Sequence, residues 1–455
     1  MNNRTGPLGR SIDCFKAYDV RGRVPDELNE AIVYRIARSW AGFIGAKKVC
    51  MGRDVRPTSD AFADVFAQGL AESGVDVVDL GLTGTEEVYF GTFHGGLDGG
   101  VMITASHNPS DYNGLKFVRE KAHPISGDNG LGEIRAGAER GEFDDGGRRG
   151  KRIEAFDKSA YVEHLLGYVD ADALKPLKLV VNPGNGCAGP IVERLEKNLP
   201  FEFVKMDFEP DGSFPNGVPN PMLEENRRET SAAVREHGAD LGIAWDGDFD
   251  RCFFYDEQGD FVEGYYIVGL LAESFLEEHP GAKILHDPRL TWSTLDLVRA
   301  HGGTPVVSKS GHAFMKEMMR VEDCVYGGEM SAHHYFRRFG YCDSGMIPWL
   351  LVAALVSKRE EPLSSMVAER AAKFPASGEI NREVADQKAA MAAVEKSYGE
   401  AALSIDHLDG LSMEFPDWRL NLRPSNTEPL LRLNVESRAD RALMEQKTNE
   451  ILQLL

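Results

Sequence analysis

The residues KVCMGRDVRPTSDAFADVFAQGLAESGVDVVDLGLTGTEEVYFGTFHGGLDGGVMITAS, at positions 48–106, decide the class of fold. Within this stretch, short apolar runs alternate with segments whose apolar residues recur at helical spacing. The pattern predicts strands at 48–51, 75–80 and 100–104 and helices at 59–72 and 85–93. Strands separated by helices of this length indicate βαβ units and a mostly parallel sheet.

The same rhythm restarts twice further along the chain. It predicts strands at 177–182 and 241–245 in a second unit, and strands at 283–286 and 304–307 with a helix near 291–301 in a third. After about residue 371 the apolar segments shorten, with helices near 387–398 and 440–455. We therefore expect three successive mixed α/β domains of similar length, which suggests distant internal repeats, and a smaller C-terminal α+β domain.

The composition limits the classes of function. The chain has 455 residues, 42% hydrophobic and 27% charged, which is ordinary for a globular protein with real cores. At ~150 residues per domain this length indicates about three domains. The net charge of −21 argues against nucleic acid or an anionic membrane as a partner. A phosphate site in such a chain must gather its basic residues in one place.

Targeting signals and cysteine spacing indicate the compartment. The first twenty residues contain no apolar core of signal-peptide length. The longest apolar run, 346–355, is too short to span a bilayer and predicts a buried helix. The six cysteines are scattered and form no CxxC pair. These features predict reduced thiols in a cytoplasmic protein, not a disulfide framework or a zinc site.

Ser106 lies in the segment TASHNP, residues 104–109, directly after the third predicted strand. Sheets of α/β proteins bind their ligands at the carboxyl ends of parallel strands. Small neighbours leave the serine hydroxyl accessible, and His107 and Asn108 can hydrogen-bond a phosphate attached to it. The same residues also suit a helix N-cap or a turn, so this segment alone leaves both interpretations open.

Three aspartates follow another apolar strand in the segment DGDFDR, residues 246–251. Asp246, Asp248 and Asp250 would repel one another without a cation, and oxygen ligands favour Mg²⁺. An EF-hand loop would need glycine where Arg251 stands, and the apolar run that follows argues against it. A phosphatase whose nucleophile is Asp246 remains an alternative.

The segment GGEMSAHH, residues 327–334, combines glycines that allow a ligand to approach with polar side chains. Glu329 and Ser331 offer an acceptor pair for the neighbouring hydroxyls of a sugar. His333 fits either this site or a structural role.

The segment RPSNTEP, residues 423–429, lies between two strand-like runs. It places an arginine, two hydroxyls and an amide on a tight turn, which is a plausible phosphate cradle. An ordinary hairpin turn is the alternative.

These four segments, in this order, resemble the α-D-phosphohexomutase superfamily, most closely its bacterial phosphomannomutase/phosphoglucomutase branch. The opening segment FKAYDVRG at residues 15–22, the strand NGLKF at 113–117 and Gly311-His312 fit the same family. The resemblance covers essentially the whole chain. It implies four domains around a central cleft, with boundaries that we expect at 1–152, 153–255, 256–370 and 371–455.

The resemblance also implies roles for individual residues. Ser106 corresponds to the phosphorylated serine, and Asp246, Asp248 and Asp250 correspond to the Mg²⁺ ligands, completed by an oxygen on Ser106. The residues that would bind substrate are Tyr18, Arg289, Glu329, Ser331, Arg423, Ser425, Asn426 and Thr427. Those expected to act in catalysis, besides Ser106, are Arg21, His107, Lys116, Arg251, His312 and His333.

Two positions depart from the family pattern and leave the substrate preference open. Arg289 stands where some relatives carry lysine, which keeps the charge but changes its hydrogen-bond geometry. Ala332 stands where many relatives have glycine.

The reaction that the family implies moves a phosphoryl group between two hydroxyls of one sugar. Phospho-Ser106 would convert a hexose 6-phosphate or 1-phosphate to a 1,6-bisphosphate, which also serves as primer, and would then recover the other phosphoryl group. Mg²⁺ and Arg251 would neutralise charge. Lys116 is the predicted general base, because Arg21 would lower its pKa; His312 and His333 are the alternatives.

Several functions remain open at this point. Mannose phosphates are the expected substrates, with glucose phosphates or dual activity as the alternative. A magnesium-dependent sugar phosphatase and a non-catalytic phosphosugar-binding protein are the more distant possibilities. The sequence does not reveal the oligomeric state.

Overall fold

The computed structural model describes residues 4–9, 11–145, 147–425 and 430–455, and their strands form four sheets that follow one another along the chain. Each sheet, with its helices, defines one unit. The predicted architecture of three mixed α/β units and a smaller C-terminal α+β unit is confirmed.

The first unit holds Ser106, the serine predicted to carry the phosphoryl group. Its strands are β1 (Val20–Arg23), β2 (Lys48–Arg53), β3 (Asp76–Leu82), β4 (Gly99–Ile103), β5 (Tyr112–Arg119) and β6 (Arg152–Glu154), and its helices are α1 (Glu30–Ile44), α2 (Ser59–Glu72), α3 (Thr85–His94) and α4 (Leu131–Arg140). The sheet order is β1-β5-β4-β2-β3-β6. Its core forms where Trp40 of α1 packs against Phe66 of α2 and Phe117 of β5, with ring centroids 5.9 and 5.4 Å apart.

The second unit carries the aspartate segment. It contains β7 (Lys178–Asn182), β8 (Glu202–Lys205), β9 (Leu241–Trp245), β10 (Cys252–Tyr255) and β11 (Phe261–Val262), with α5 (Ser159–Leu166), α6 (Gly189–Glu196) and α7 (Arg228–His237). The sheet order is β11-β10-β9-β7-β8.

The third unit carries the segment predicted to bind sugar. It contains β12 (Lys283–His286), β13 (Thr304–Val307), β14 (Tyr326–Gly328), β15 (His334–Phe336) and β16 (Cys342–Asp343), with α8 (Gly264–Glu278), α9 (Trp292–Ala300), α10 (His312–Val321), α11 (Met346–Arg359) and α12 (Leu363–Lys373). The sheet order is β13-β12-β14-β15-β16. Helix α11 is the buried helix that the apolar run at 346–355 predicts.

The fourth unit is an antiparallel sheet with two helices. It contains β17 (Ile380–Glu383), β18 (Ser404–Asp406), β19 (Leu411–Glu414), β20 (Trp418–Pro424) and β21 (Leu430–Ser437), with α13 (Gln387–Tyr398) and α14 (Arg441–Leu454). The sheet order is β17-β21-β20-β19-β18, and every pairing is antiparallel.

The first three units share one topology. In each, a strand pairs in parallel with the next two strands of its α/β core, and the third strand then pairs antiparallel with a fourth: β2-β3-β4-β5, β7-β8-β9-β10 and β12-β13-β14-β15. The loops after β4, β9 and β14 are therefore equivalent. This shared order supports the idea of distant internal repeats.

The strand pairing corrects the predicted domain boundaries. Strand β6 pairs with β3, so the first unit extends to Glu154 and not only to residue 152. The predicted boundary between residues 255 and 256 falls at the start of a hairpin turn, because β11 pairs antiparallel with β10 across residues 256–260. The predicted boundary after residue 370 falls inside α12.

Buried polar contacts join the first three units. Glu86 in α3 is fully buried, and its carboxylate accepts hydrogen bonds from Tyr161 of α5, from Ser344 and from the N–H of Met346, which starts α11. Unpaired N–H groups at a helix start favour such a carboxylate. These contacts fix the relative placement of the loops that form the site.

All six cysteines are buried free thiols, as their spacing predicts. Among the described residues, no helix combines the length and the apolar character that crossing a membrane requires.

Candidate active site

Loops from all four units line one cleft of about 1350 Å³. The predicted site residues that line it are Tyr18, His107, Arg251, Arg289, His312, Glu329, Ser331, His333 and Arg423. The lining contains seven lysines and arginines against six acidic residues, whereas the whole chain carries −21. The basic residues are thus gathered locally against the overall charge, as a phosphate site requires.

Ser106 lies in the loop of residues 104–109, here called the serine loop, after β4. Its φ of 49° is in the left-handed region, which is uncommon for a residue with a side chain and is found where function constrains the backbone. Its Oγ donates to Asp246 Oδ2 at 2.7 Å and lies 3.0 Å from Nδ1 of His107. Ser106 is 3% exposed. The structure therefore favours the active-site interpretation over a helix N-cap.

Arg56, to which no sequence motif pointed, holds the serine loop through hydrogen bonds to its backbone. Its guanidinium donates to the backbone carbonyls of Ser106 and Asn108 (3.0 and 2.6 Å) and to those of Pro109 and Tyr112 (2.6 and 2.8 Å). Its counterion is Asp54, whose Oδ2 lies 3.3 Å from Nε. Only its place just beyond the carboxyl end of β2 hinted at this role.

Arg21 on β1 braces the same loop from the other side. It donates to Asn108 Oδ1 at 2.6 Å and to the carbonyl of Ala105 at 3.3 Å, while Asp19 accepts from its Nε at 2.8 Å. Two arginines thus hold the loop that carries Ser106.

The three predicted metal ligands converge in the metal loop, residues 246–250, after β9. Asp246, Asp248 and Asp250 each offer a carboxylate oxygen, and these oxygens lie within 4.8 Å of one another. All three side chains are buried, and Asp248 Oδ1 has no hydrogen-bond partner among the described residues. Buried carboxylates with an unpartnered oxygen fit a hard divalent cation.

Lys116 on β5 differs from its prediction. Its Nζ lies 2.7 Å from Asp248 Oδ2 and 2.6 Å from Asp250 Oδ2. Burial lowers the pKa of this amine and Arg21 also lowers it, but the two carboxylates outweigh both and raise it above its ordinary value. The two carboxylates therefore favour the charged amine, whereas the sequence predicts a neutral base. In this arrangement Lys116 compensates the negative charge of the metal loop.

Arg251 and His107 lie beside Ser106. Arg251 donates from Nε and Nη2 to Asp246 Oδ2 at 3.1 and 2.9 Å, and its Nη2 lies 2.6 Å from His107 Nδ1. Burial and the charge of Arg251 hold the pKa of His107 well below its usual range. A neutral His107 accepts the hydrogen bond from Arg251 through Nδ1, so Arg251 is the cationic donor of this pair beside Ser106.

His333 and His312 face the same cleft with different partners. Nδ1 of His333 lies 3.0 Å from Oδ2 of the fully buried Asp343, which Lys316 also contacts at 3.0 Å. Burial opposes protonation of His333, but Asp343 and Asp250 raise its pKa above the usual value. Burial and Lys316 instead lower the pKa of His312 well below its usual value. No motif in the sequence pointed to Asp343.

The loop of residues 327–334, the sugar loop, is held in place before any ligand binds. Glu329 accepts from the N–H of Gly311 at 2.8 Å and from the hydroxyl of Tyr335 at 2.5 Å. Ser331 Oγ accepts from Arg289 at 3.2 Å. Ala332 has a φ of 71°, a left-handed conformation that glycine adopts without steric cost.

Of the predicted phosphate cradle, the structure describes residues 423–425, and Arg423 and Pro424 line the cleft. Arg423 lies next to the last residue of β20, and the N–H of Ser425 donates to the carbonyl of Leu430 at 2.8 Å. Arg289 reaches the cradle from the third unit, where Asp287 holds it through two hydrogen bonds of 2.9 Å. Asn426 and Thr427 lie outside the described residues.

Family models match the four units one by one. Models described as phosphoglucomutase/phosphomannomutase alpha/beta/alpha domains I, II and III match residues 13–145, 159–259 and 263–374, and the model of the C-terminal domain matches residues 379–453.

Individual proteins match over nearly the whole chain. A phosphomannomutase of Salmonella montevideo is 59% identical over 452 residues, covering 98% of this chain and 99% of that protein. A protein of Xanthomonas campestris pv. campestris named phosphohexose mutases is 58% identical over 445 residues, with the same coverage. A solved structure of a phosphoglucomutase/phosphomannomutase family protein from Burkholderia thailandensis superposes with a TM-score of 0.87 at 30% identity, covering 98% of this chain and 97% of that one.

Proposed function

The chain belongs to the phosphoglucomutase/phosphomannomutase family of mutases, and we propose that it interconverts mannose 6-phosphate and mannose 1-phosphate through a phosphoryl group carried on Ser106. The observation that carries this proposal is the 2.7 Å hydrogen bond between Ser106 Oγ and Asp246 Oδ2, which joins the serine loop of one unit to the metal loop of the next. A phosphate on Ser106 would lie directly beside the aspartates.

The metal loop supplies the electrostatic part of the reaction. Asp246, Asp248, Asp250 and an oxygen on Ser106 would hold Mg²⁺, which would supply charge neutralisation on the transferring phosphoryl oxygens. Arg251 presents donors to the same oxygens, and His107 Nδ1 and Asp246 hold its guanidinium in place. In the first half-reaction the bond between phosphorus and Ser106 Oγ breaks as the free sugar hydroxyl forms its own bond to phosphorus, giving the 1,6-bisphosphate.

Proton exchange with the sugar hydroxyl falls to His333 in this proposal. Asp343 Oδ2 lies 3.0 Å from Nδ1 as a counterion, which leaves Nε2 as the nitrogen available to the cleft. Lys116, bound by two carboxylates, acts as a fixed positive charge. The second half-reaction runs in reverse on the other phosphate, and free hexose 1,6-bisphosphate would prime the enzyme by phosphorylating Ser106.

The distant arginines explain why the proposal is a mutase and not a phosphatase. A mutase must hold the phosphate that is not being transferred, and Arg289 and Arg423 line the cleft from the third and fourth units, whereas Ser106 belongs to the first. Asp246 Oδ2 already accepts from Ser106 and from Arg251, which suits a metal ligand and positioning group better than a nucleophile.

Ser106→Ala tests the proposal against both alternatives. We expect the variant to bind mannose 1-phosphate but to lose all isomerase turnover, and the native enzyme to carry an acid-stable, alkali-labile phosphate on the peptide containing Ser106. A hydroxylamine-labile acyl phosphate on Asp246 would instead establish a phosphatase. If the wild type and the variant both bind mannose 1-phosphate and neither shows turnover, the chain is a binding protein.

The sugar preference needs a separate measurement. Relatives that are nearly equally similar carry names that specify mannose or only hexose, and both sugars offer hydroxyls to Glu329 and Ser331. We expect kcat/KM with a 1,6-bisphosphate primer to be higher for mannose 1-phosphate than for glucose 1-phosphate. Equal or reversed values would assign a dual-specificity enzyme or a phosphoglucomutase.

A further inference from the structure

Two arginines face each other directly across the paired strands β20 and β21. Arg423 on β20 is the register partner of Arg432 on β21. Like charges in such opposed positions destabilise a sheet. Both guanidinium groups are largely buried, and the Nε of each lacks a hydrogen-bond partner among the described residues. The pair therefore needs an anion.

Glu379 supplies that anion from within the chain. It immediately precedes β17, whose first residue pairs with β21, and this brings its carboxylate over the arginine pair. Oε2 lies 3.1 Å from Arg423 Nη2 and Oε1 lies 3.2 Å from Arg432 Nη1. The third contact is with Arg289, at 3.5 Å. One carboxylate thus contacts three guanidinium groups. We call these three residues, Arg289, Arg423 and Arg432, the arginine cradle.

The distances distinguish a permanent partner from a replaceable one. Asp287 binds Arg289 through two hydrogen bonds of 2.9 Å, the separation expected for a strong charged pair. Glu379 touches each of its three arginines once, at 3.1 to 3.5 Å. Burial raises the pKa of Glu379, but the three arginines lower it further, so the group is a carboxylate anion.

We propose that Glu379 is an internal stand-in for the substrate's non-transferring phosphate, and that Arg432 joins Arg289 and Arg423 in binding that phosphate when Glu379 gives way. This inference rests on the proposed function for the identity of the ligand. A phosphate dianion carries more charge and more acceptor oxygens than one carboxylate, so it can use the guanidinium donors that Glu379 leaves unpaired.

The negative charge of Glu379 compensates the arginine cradle. Without it, three cations from two different units would repel one another, and the cradle would lose its geometry between turnovers. With it, the arginines stay oriented, at the expense of competition with the incoming phosphate. Removing the negative charge at this position should therefore tighten phosphate binding while it lowers stability.

Isothermal titration with inorganic phosphate, at constant ionic strength, tests the stand-in directly. We expect Glu379→Gln to bind phosphate at least threefold more tightly than the wild type and to melt at a lower temperature. Equal or weaker binding would overturn the proposal, because Glu379 would then only support the arginines. This measurement does not depend on turnover.

Steady-state kinetics with mannose 1-phosphate and glucose 1-phosphate test Arg432. We expect Arg432→Gln to raise KM at least tenfold with a smaller effect on kcat, and Arg432→Lys to recover part of the loss. Arg382→Gln is the matched control, because Arg382 lies on the adjacent strand β17, is exposed and does not line the cleft. A KM for Arg432→Gln equal to that of the control would overturn the assignment, whereas absence of turnover in the wild type would reject the proposed function instead.

Discussion

Gly247, between two aspartates of the metal loop, has no room for a side chain on the face toward Ser106. A Cβ at this position would lie 2.7 Å from the backbone carbonyl oxygen of Ser106. The φ of Gly247 is not positive, so alanine suits the backbone and only the contact is at issue. Gly247→Ala therefore tests how closely the metal loop and the serine loop must approach.

The size of the displacement follows from the contact distance. An ordinary van der Waals separation begins at 3.4 Å, so 3.4 − 2.7 = 0.7 Å of movement is needed. The carbonyl oxygen of Ser106 is held at 3.0 Å by Arg56, and the carbonyl of Gly247 accepts from the N–H of Cys187 at 3.0 Å. Neither loop can move freely, and overpacking of this kind costs about 1–3 kcal/mol.

The catalytic effect should exceed the effect on stability. A misplacement approaching 1 Å at a reacting group costs roughly 100-fold in rate. We expect kcat for hexose phosphate isomerisation to fall about 10- to 100-fold. We also expect KM to change little, because the arginine cradle is remote from Gly247.

The assay compares kcat, KM and thermal unfolding of the variant with those of Gly42→Ala. Gly42 lies in α1, is exposed, and a Cβ there meets no atom within 4 Å. Alanine in a helix interior is favoured over glycine by about 0.5–1 kcal/mol, so the control should be at least as stable as the wild type and fully active. A kcat for Gly247→Ala within threefold of the wild type would refute the requirement for close approach.

Three further results are expected. Arg56→Lys keeps a charge beside Asp54 but cannot reach four carbonyls, and each carbonyl left without a donor costs about 1–3 kcal/mol. Calorimetry should therefore show a lower melting temperature, and kinetics a lower kcat. Wild-type values of both would contradict this role. Burial, together with Arg338, lowers the pKa of His164 to about 4. The unfolded chain therefore binds a proton that the folded protein resists, and stability is lost as pH falls from about 6.5 toward 4. We expect a loss of about 1 kcal/mol at pH 5, since solvent screening at this partly open site reduces the full effect. His164→Phe should reduce the loss of melting temperature between pH 7.5 and 5, and an identical loss in both proteins would argue against this cause. Adding Mg²⁺ at 100 times its Kd should stabilise the protein by about 2.7 kcal/mol, and Asp248→Asn should diminish this stabilisation. Coincident melting curves with Mg²⁺ and with EDTA would speak against a metal at the three aspartates.

Much of the fold could be predicted because its signals are local. The strand before Ser106 and the helix Ser59–Glu72 follow from apolar periodicity over a few residues. The chemistry-bearing loops follow buried strands, and a parallel sheet places such loops at one edge. The errors fall where local signals do not decide: the hairpin turn at 256–260 has the same polar composition as a domain junction, and only the pairing of β10 with β11 identifies it.

The sequence by itself determined the four units, the loops with Ser106 and the three aspartates, and the demand for a local basic site in an acidic chain. Only the tertiary structure decided what surrounds these groups. The charged form of Lys116 is favoured by two aspartates more than 130 positions away, which lie within 2.7 Å of its amine. Arg56, Asp343 and Glu379 escaped notice because each acts through partners from other strands or other units. The charge state and role of a buried ionisable group depend on its nearest neighbours in space, and those neighbours come from distant parts of the chain.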